Sequence, residues 1–125
     1  MTFTRLKRRK REKFGMRQET RIRCPSHLAW VRGHVCAVWD KFCWGNIEAA
    51  HVRSGTDGGA ARKPSDCWVI PLCGHHHSRQ HAIGEPEFEK RYAIDMQRLA
   101  MQLWQRSPAR IKYEQRIRER KERTA

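Results

Sequence analysis

Hydrophobic residues in this chain come in short bursts between polar stretches, and the spacing inside each burst predicts the element it forms. In "PSHLAWVRGHVC", Leu28, Val31 and Val35 recur at i, i+3 and i+7, the spacing of one helical face. Pro25 suits the first turn of that helix and Gly33 a nearby end, so a short helix is expected to lead into Cys36. The next burst, "AVWDKFCWGNIEAAHVRS", is aromatic and β-branched with a "WGN" turn. It predicts a hairpin or knuckle that ends in a strand around residues 47–53. "GTDGGAARKPSD" reads as a flexible loop and "CWVIPLC" as a second short strand. "GHHHSRQHAIG" opens helically and stops at Gly84. From Pro86, the residues Phe88, Tyr92, Met96, Leu99 and Leu103 follow at steps of three to four. They predict one amphipathic helix to about Trp104, which "SPAR" breaks. No internal repeat is present.

Strands followed by helices make this an α+β chain, and 125 residues hold one small domain. Only 38% of the residues are hydrophobic, a thin supply for a core, and domains of this size often lean on a metal or on disulfides. No stretch approaches the ~20 apolar residues of a membrane span, and no apolar segment follows the basic start as in a secretory signal. A cytoplasmic, reducing location is therefore expected. There, five cysteines read as metal ligands and core residues rather than as disulfides.

Charge divides the chain into three. Residues 1–23 hold ten Lys/Arg against two Glu, and residues 105–125 hold eight against three, whereas residues 24–104 hold nine against eight. A nearly neutral domain with a basic N-terminal arm and a basic C-terminal tail is expected. Arms of this kind suit a polyanion, because each neutralised phosphate releases condensed counterions. Solubilising tails, or contacts to an acidic membrane, are the blander readings of the same charge. The N-terminal arm has no steady apolar period and is expected to be disordered or only partly helical on its own.

The candidate chemistry is concentrated in "LCGHHHSRQH". Cys36-x6-Cys43 on the knuckle and Cys73-x2-His76 at the start of the later helix form two pairs on two hairpins. Small domains build closed tetrahedral zinc sites in this way. Cys24 and Cys67 are alternative members of the set, and His75 an alternative to His76. His77 and His81, four residues apart on a helix, share a face and can reach one further ion with an open coordination sphere. His51 ends the first predicted strand, where a neutral imidazole can take a proton from water near pH 7.

The order of these pieces, "EAAH" on a strand, a loop, then "KPSD…PLCGHHHSRQH" opening a helix, resembles the HNH endonuclease family, whose fold is the ββα-metal finger. The resemblance covers roughly residues 28–104. It is nearest to the phage and prophage type that includes RecA-dependent nucleases of the Ref kind. It implies a zinc-stapled ββα-metal domain with His51 as general base, and His77 and His81 as ligands of a catalytic divalent ion (Mg²⁺, Mn²⁺, Ni²⁺ or Zn²⁺). Cys36, Cys43, Cys73 and His76 would be the structural zinc ligands, and Asp66 the polar residue that orients the base. Many members place a His or Asp ligand just before the base, and this chain has Ala50 there.

The implied function is metal-dependent hydrolysis of DNA phosphodiester bonds with low sequence specificity. Arg53, Arg62, Lys63 and Arg79 would lie on the backbone, and a recombinase filament is a possible partner. The competing readings are a zinc-stapled nucleic-acid binder that does not cut, and an adaptor that docks partners through Trp104 and its helix.

Overall fold

The computed structural model describes residues 21–58 and 63–124, and these form an α+β domain of five helices and one two-stranded sheet. Helix α1 spans Pro25–Arg32, strand β1 Ile47–His51, strand β2 Val69–Cys73 and helix α2 Gly74–Ile83. Helices α3 (Glu85–Tyr92), α4 (Met96–Arg106) and α5 (Pro108–Thr124) complete the order. Of the N-terminal arm, residues 1–23, all but the last three positions lie outside the described residues, and so does Arg62.

Strands β1 and β2 pair antiparallel, with Ile47 opposite Cys73, Ala49 opposite Pro71 and His51 opposite Val69. Pro71 has no N–H for a ladder, but its carbonyl accepts the N–H of Ala37 (2.8 Å), which lashes the knuckle to the sheet. β2 is buried along its whole length, while β1 is mixed, with Ala50 buried, Glu48 exposed and Ile47, Ala49 and His51 half-buried. Ala50, Val52, Ile70 and Leu72 from the sheet region meet Phe88, Met96 and Ala100 to form the main core. A second core gathers Cys24, Cys67, Trp104 and Ala109 where the chain enters and leaves the domain.

The helix ends follow their local chemistry. Pro25 opens α1 and Gly33 closes it. Gly84, at φ +85°, separates α2 from α3, a left-handed turn that a glycine takes without strain.

Two expectations need correction. The apolar face expected for α1 is not the one buried: His27 and Val31 face the core, Leu28 is half-buried, and Val35 lies past the helix end, in solvent. The single helix expected from Pro86 to Trp104 is two helices. Ala93 takes a left-handed conformation (φ 51°), and Asp95 then starts α4 by accepting the N–H of Arg98 at 3.1 Å. The apolar spacing ran on because Phe88 and Met96 reach the same core from either side of the break.

The basic C-terminal segment continues as α5, anchored by Ala109 and by Tyr113 packed against Trp104. Trp104 is buried in this second core, edge-on to His27, so it is not exposed for docking. Among the described residues no helix is long and apolar enough to cross a membrane.

Candidate functional site

Cys73 ends β2 and caps α2, its Sγ accepting the N–H of His76 at 3.4 Å. That cap puts Cys73 and His76 on one side of the helix start, facing Cys36 and Cys43 of the knuckle. The Nδ1 of His76 lies 3.5 Å from Cys36 Sγ, 3.5 Å from Cys43 Sγ and 3.1 Å from Cys73 Sγ. All four donor atoms fall within 4.8 Å of one another. One ring nitrogen has a single proton or a single lone pair, so it cannot serve three thiols as hydrogen bonds. A tetrahedral ion can: Zn–S of about 2.3 Å with Zn–N of about 2.0–2.1 Å places sulfur and nitrogen about 3.5 Å apart. The donor set therefore fits one closed structural metal ion such as zinc. The three other candidates stand elsewhere, with Cys24 and Cys67 in the second core and the His75 ring beside Phe42.

The thiols of the set differ in how readily they ionise before an ion binds. Burial pushes the Cys36 thiol up to about 11. Burial also works to raise Cys73, but the backbone N–H of His76 and further hydrogen bonds overcome it and bring that thiol to about 6. The set thus starts with one thiol close to its ligand form. The far nitrogen of His76, Nε2, lies 3.2 Å from Asp40 Oδ2. A carboxylate behind a ligating imidazole fixes its tautomer and makes it a better donor. The sequence reading passed over Asp40, although an acid between two paired cysteines was a usable signal.

His51, at the end of β1, bonds through Nε2 to Oδ1 of Asp66 at 3.1 Å. Asp66 is buried, and its other oxygen accepts the N–H of Cys24 at 2.8 Å. Asp66 thus holds the imidazole at its Nε2. Burial lowers the pKa of His51 below the ordinary histidine value. Lys63 and Arg23 add to the lowering, and the Asp66 hydrogen bond opposes it. A neutral ring at neutral pH is the form that accepts a proton.

His51 and His81 line one cleft of about 230 Å³, together with Arg53, Gln80 and Glu85. Glu85 closes one end by accepting the backbone N–H groups of Arg53 (2.8 Å) and Ser54 (2.7 Å). His77 stands one turn from His81, with their Nε2 atoms 3.2 Å apart, and its Nδ1 lies 2.5 Å from Glu48 Oε1. Two nitrogens at that separation fit adjacent ligand positions on one ion, for which bonds of about 2.1 Å give roughly 3.0–3.4 Å. Glu48 was missed in the sequence. It points to the opposite side of β1 from His51, and only the packing of β1 against α2 brings it to His77.

Of the expected backbone-contacting residues, Arg53 and Lys63 are exposed and Arg79 is partly exposed on α2. Ala50, in the position before the base, is fully buried in the main core and offers no donor.

No curated protein and no solved structure matches this chain. A family model described as "Protein of unknown function (DUF968)" matches residues 11–109. The matched span takes in the knuckle, the sheet, the Cys/His cluster, the cleft and helices α1 to α4, and so the chain belongs to the DUF968 family.

Proposed function

We propose that this protein is a metal-dependent DNA endonuclease of the HNH type, cutting phosphodiester bonds with low sequence specificity in phage DNA metabolism or recombination. The observation that carries the reading is His51, backed by the buried Asp66 and lining the same cleft as His81. An antiparallel strand pair followed directly by a helix bearing His76, His77 and His81 is the layout of a ββα-metal finger, which supports it further.

In this scheme His51 takes a proton from a water molecule through Nδ1, since Nε2 is committed to Asp66. The water oxygen bonds to phosphorus as the bond to the 3′-oxygen breaks in line, and that oxygen leaves with a proton from solvent. The products are a 5′-phosphate and a 3′-hydroxyl. His77 and His81, with Glu48 beside them, would hold a divalent ion that neutralises charge on the phosphate as the bond breaks. Two imidazoles favour a transition metal, and Glu48, on Nδ1 of His77 while Nε2 faces His81, would orient that ring from behind rather than join the ion. Zinc on Cys36, Cys43, Cys73 and His76 staples the fold and takes no part in hydrolysis. Arg53, Lys63 and Arg79 lie where they can meet the DNA backbone, and the terminal charge adds affinity without reading bases.

The test is plasmid DNA incubated with the purified full chain and Mg²⁺, Mn²⁺, Ni²⁺ or Zn²⁺ in turn. His51→Ala should abolish nicking and leave DNA binding and tight zinc content intact. Should both proteins prove inert with every metal, and also with a recombinase filament added, the reading is lost. A zinc-stapled binder that does not cut is the second reading. It is favoured by the buried Ala50 and by the closure of His77 onto Glu48. It predicts salt-dependent binding and no cleavage.

A further inference from the structure

Three aromatic rings stand out in solvent on the outer side of the knuckle. Trp39 is 72% exposed, Phe42 61% and Trp44 78%, with Val35 beside them also exposed. These are costly rings to leave unburied in a chain with so small an apolar supply. Their base is well fixed. Ala37 N–H is bonded to Pro71, Phe42 N–H to Asp40 Oδ1 at 2.8 Å, and the Trp44 carbonyl accepts the N–H of His75 at 3.0 Å. Cys36 and Cys43, which bracket Trp39 and Phe42, belong to the metal cluster. The rings are thus platforms on a stapled loop rather than side chains on a loose one.

Between the knuckle and the end of α1 lies a groove of about 420 Å³, walled by Arg32, His34, Val35, Trp39, Trp44 and Ile47 among others. No carboxylate lines it. Lys41 holds its Nζ 5.3 Å above the Phe42 ring, and Asp40, the one acid in residues 33–46, is partly exposed but has Oδ2 on His76 and Oδ1 on the Phe42 N–H. The face therefore combines flat aromatic surface with cations, and the one carboxylate of the knuckle is already engaged. Exposed tryptophans also serve protein interfaces, and what favours a polyanion here is a lining that holds Arg32 and His34 and no carboxylate among the described residues. Unpaired nucleobases need flat rings to stack on and cations near their phosphates.

We propose that this face binds single-stranded nucleic acid, with bases stacked on Trp39 and Trp44 and the backbone drawn towards Arg32 and Lys41. The proposal rests on the nucleic-acid half of the function above and narrows its substrate class to strands with unpaired bases. The platform and the cleft are attached to the same helix. Trp44 is bonded to His75 and the cleft is lined by His81, roughly 9 Å further along α2.

The test is binding of a labelled oligothymidylate of about 20 nucleotides, which covers the usual single-strand site sizes. It is measured by anisotropy on the full metal-loaded chain with no divalent ion added, against a blunt duplex of the same length. Trp39→Ala and Trp44→Ala should each weaken single-strand binding by about tenfold. Duplex binding and tight metal content should stay unchanged, and Trp39→Phe should recover part of the loss. Equal losses on single strand and duplex, or no loss on either, overturn the proposal. So does a concentration-dependent dimer in sedimentation that Trp44→Ala abolishes, since the face would then be a protein interface. Loss of nicking alone does not bear on this test. A chain that never cuts plasmid but needs its tryptophans for single strands keeps the proposal and loses the hydrolytic reading; the reverse pattern does the opposite.

Discussion

His76 and His77 are neighbours on α2, yet they sit in opposite surroundings. His76 is wholly buried, with three sulfurs around one nitrogen and a carboxylate behind the other. His77 is partly in solvent, with one carboxylate and one further imidazole for company. A turn of helix rotates each residue about 100° from the last, so one short sequence serves the closed donor set and, in the function we propose, a second, open one. The number of protein donors decides what an ion at each could do: four fill a tetrahedral ion and stabilise the fold, whereas two would leave positions open. The helix thus joins a buried, fully enclosed histidine to one that faces solvent.

The comparison breaks most sharply at the closed set. Cys43→Ala should remove metal binding worth on the order of 10 kcal/mol, comparable to the whole stability of a small domain. The variant should be unfolded at 25 °C by circular dichroism and lack tightly bound metal, whereas Cys24→Ala and Cys67→Ala should keep theirs. A folded Cys43→Ala protein with one tight ion would overturn the assignment.

Next comes the open side. His51→Ala should cut more slowly by a factor of roughly a hundred to ten thousand, the usual contribution of a general base, with little change in melting temperature. Because burial holds His51 below the ordinary histidine range, nicking should persist below pH 6.5 and fall only as the pH drops through that lowered value. A rate already halved near pH 7 would count against this base.

A histidine outside both sets gives the third effect. His27 is fully buried, its Nδ1 is 2.8 Å from Ser107 Oγ and its Nε2 has no hydrogen-bond partner. Burial lowers it from 6.5 to about 4, a difference that amounts to about 3 kcal/mol. A folded value below the unfolded one means that the stability is fully present above pH 6.5 and is lost as the pH falls through about 4. Denaturant melts of wild type and His27→Gln across that window should diverge, with the wild type losing more on acidification. Parallel losses would remove His27 as the cause.

The smallest effect separates the two donor sets directly. Glu48→Gln should weaken a second, loosely held divalent ion by roughly ten- to a hundredfold in a competition titration, and leave the tight ion and the melt unchanged. If the tight ion is the one disturbed, the two sets are not independent.

Local chemistry in the sequence was enough for the parts that local chemistry builds. Cysteine and histidine spacing identified the closed set, Pro25, Gly33 and Gly84 identified helix ends, and the order strand, loop, strand, helix was readable from residue type. What could not be read depended on partners brought close by folding. Glu48 and Asp40 look like ordinary surface acids until the sheet and the knuckle meet α2. The break at Ala93 was hidden because the apolar spacing continues across it, although Asp95 before "MQR" carried a cap signal. The charge of residues 108–124 suggested a tail. The helix there is polar nearly all round and is tethered by Ala109 and Tyr113, too few apolar residues to show as a periodic face.

Asp66 ties the entering chain to the ring of His51. The N–H of Asp66 is bonded to the carbonyl of Ile22, Ser65 Oγ accepts the N–H of Ile22, and the Asp66 carboxylate takes the N–H of Cys24. A deletion from the front that runs through Cys24 therefore also unpins the carboxylate behind the imidazole and would imitate a substitution of Asp66 itself.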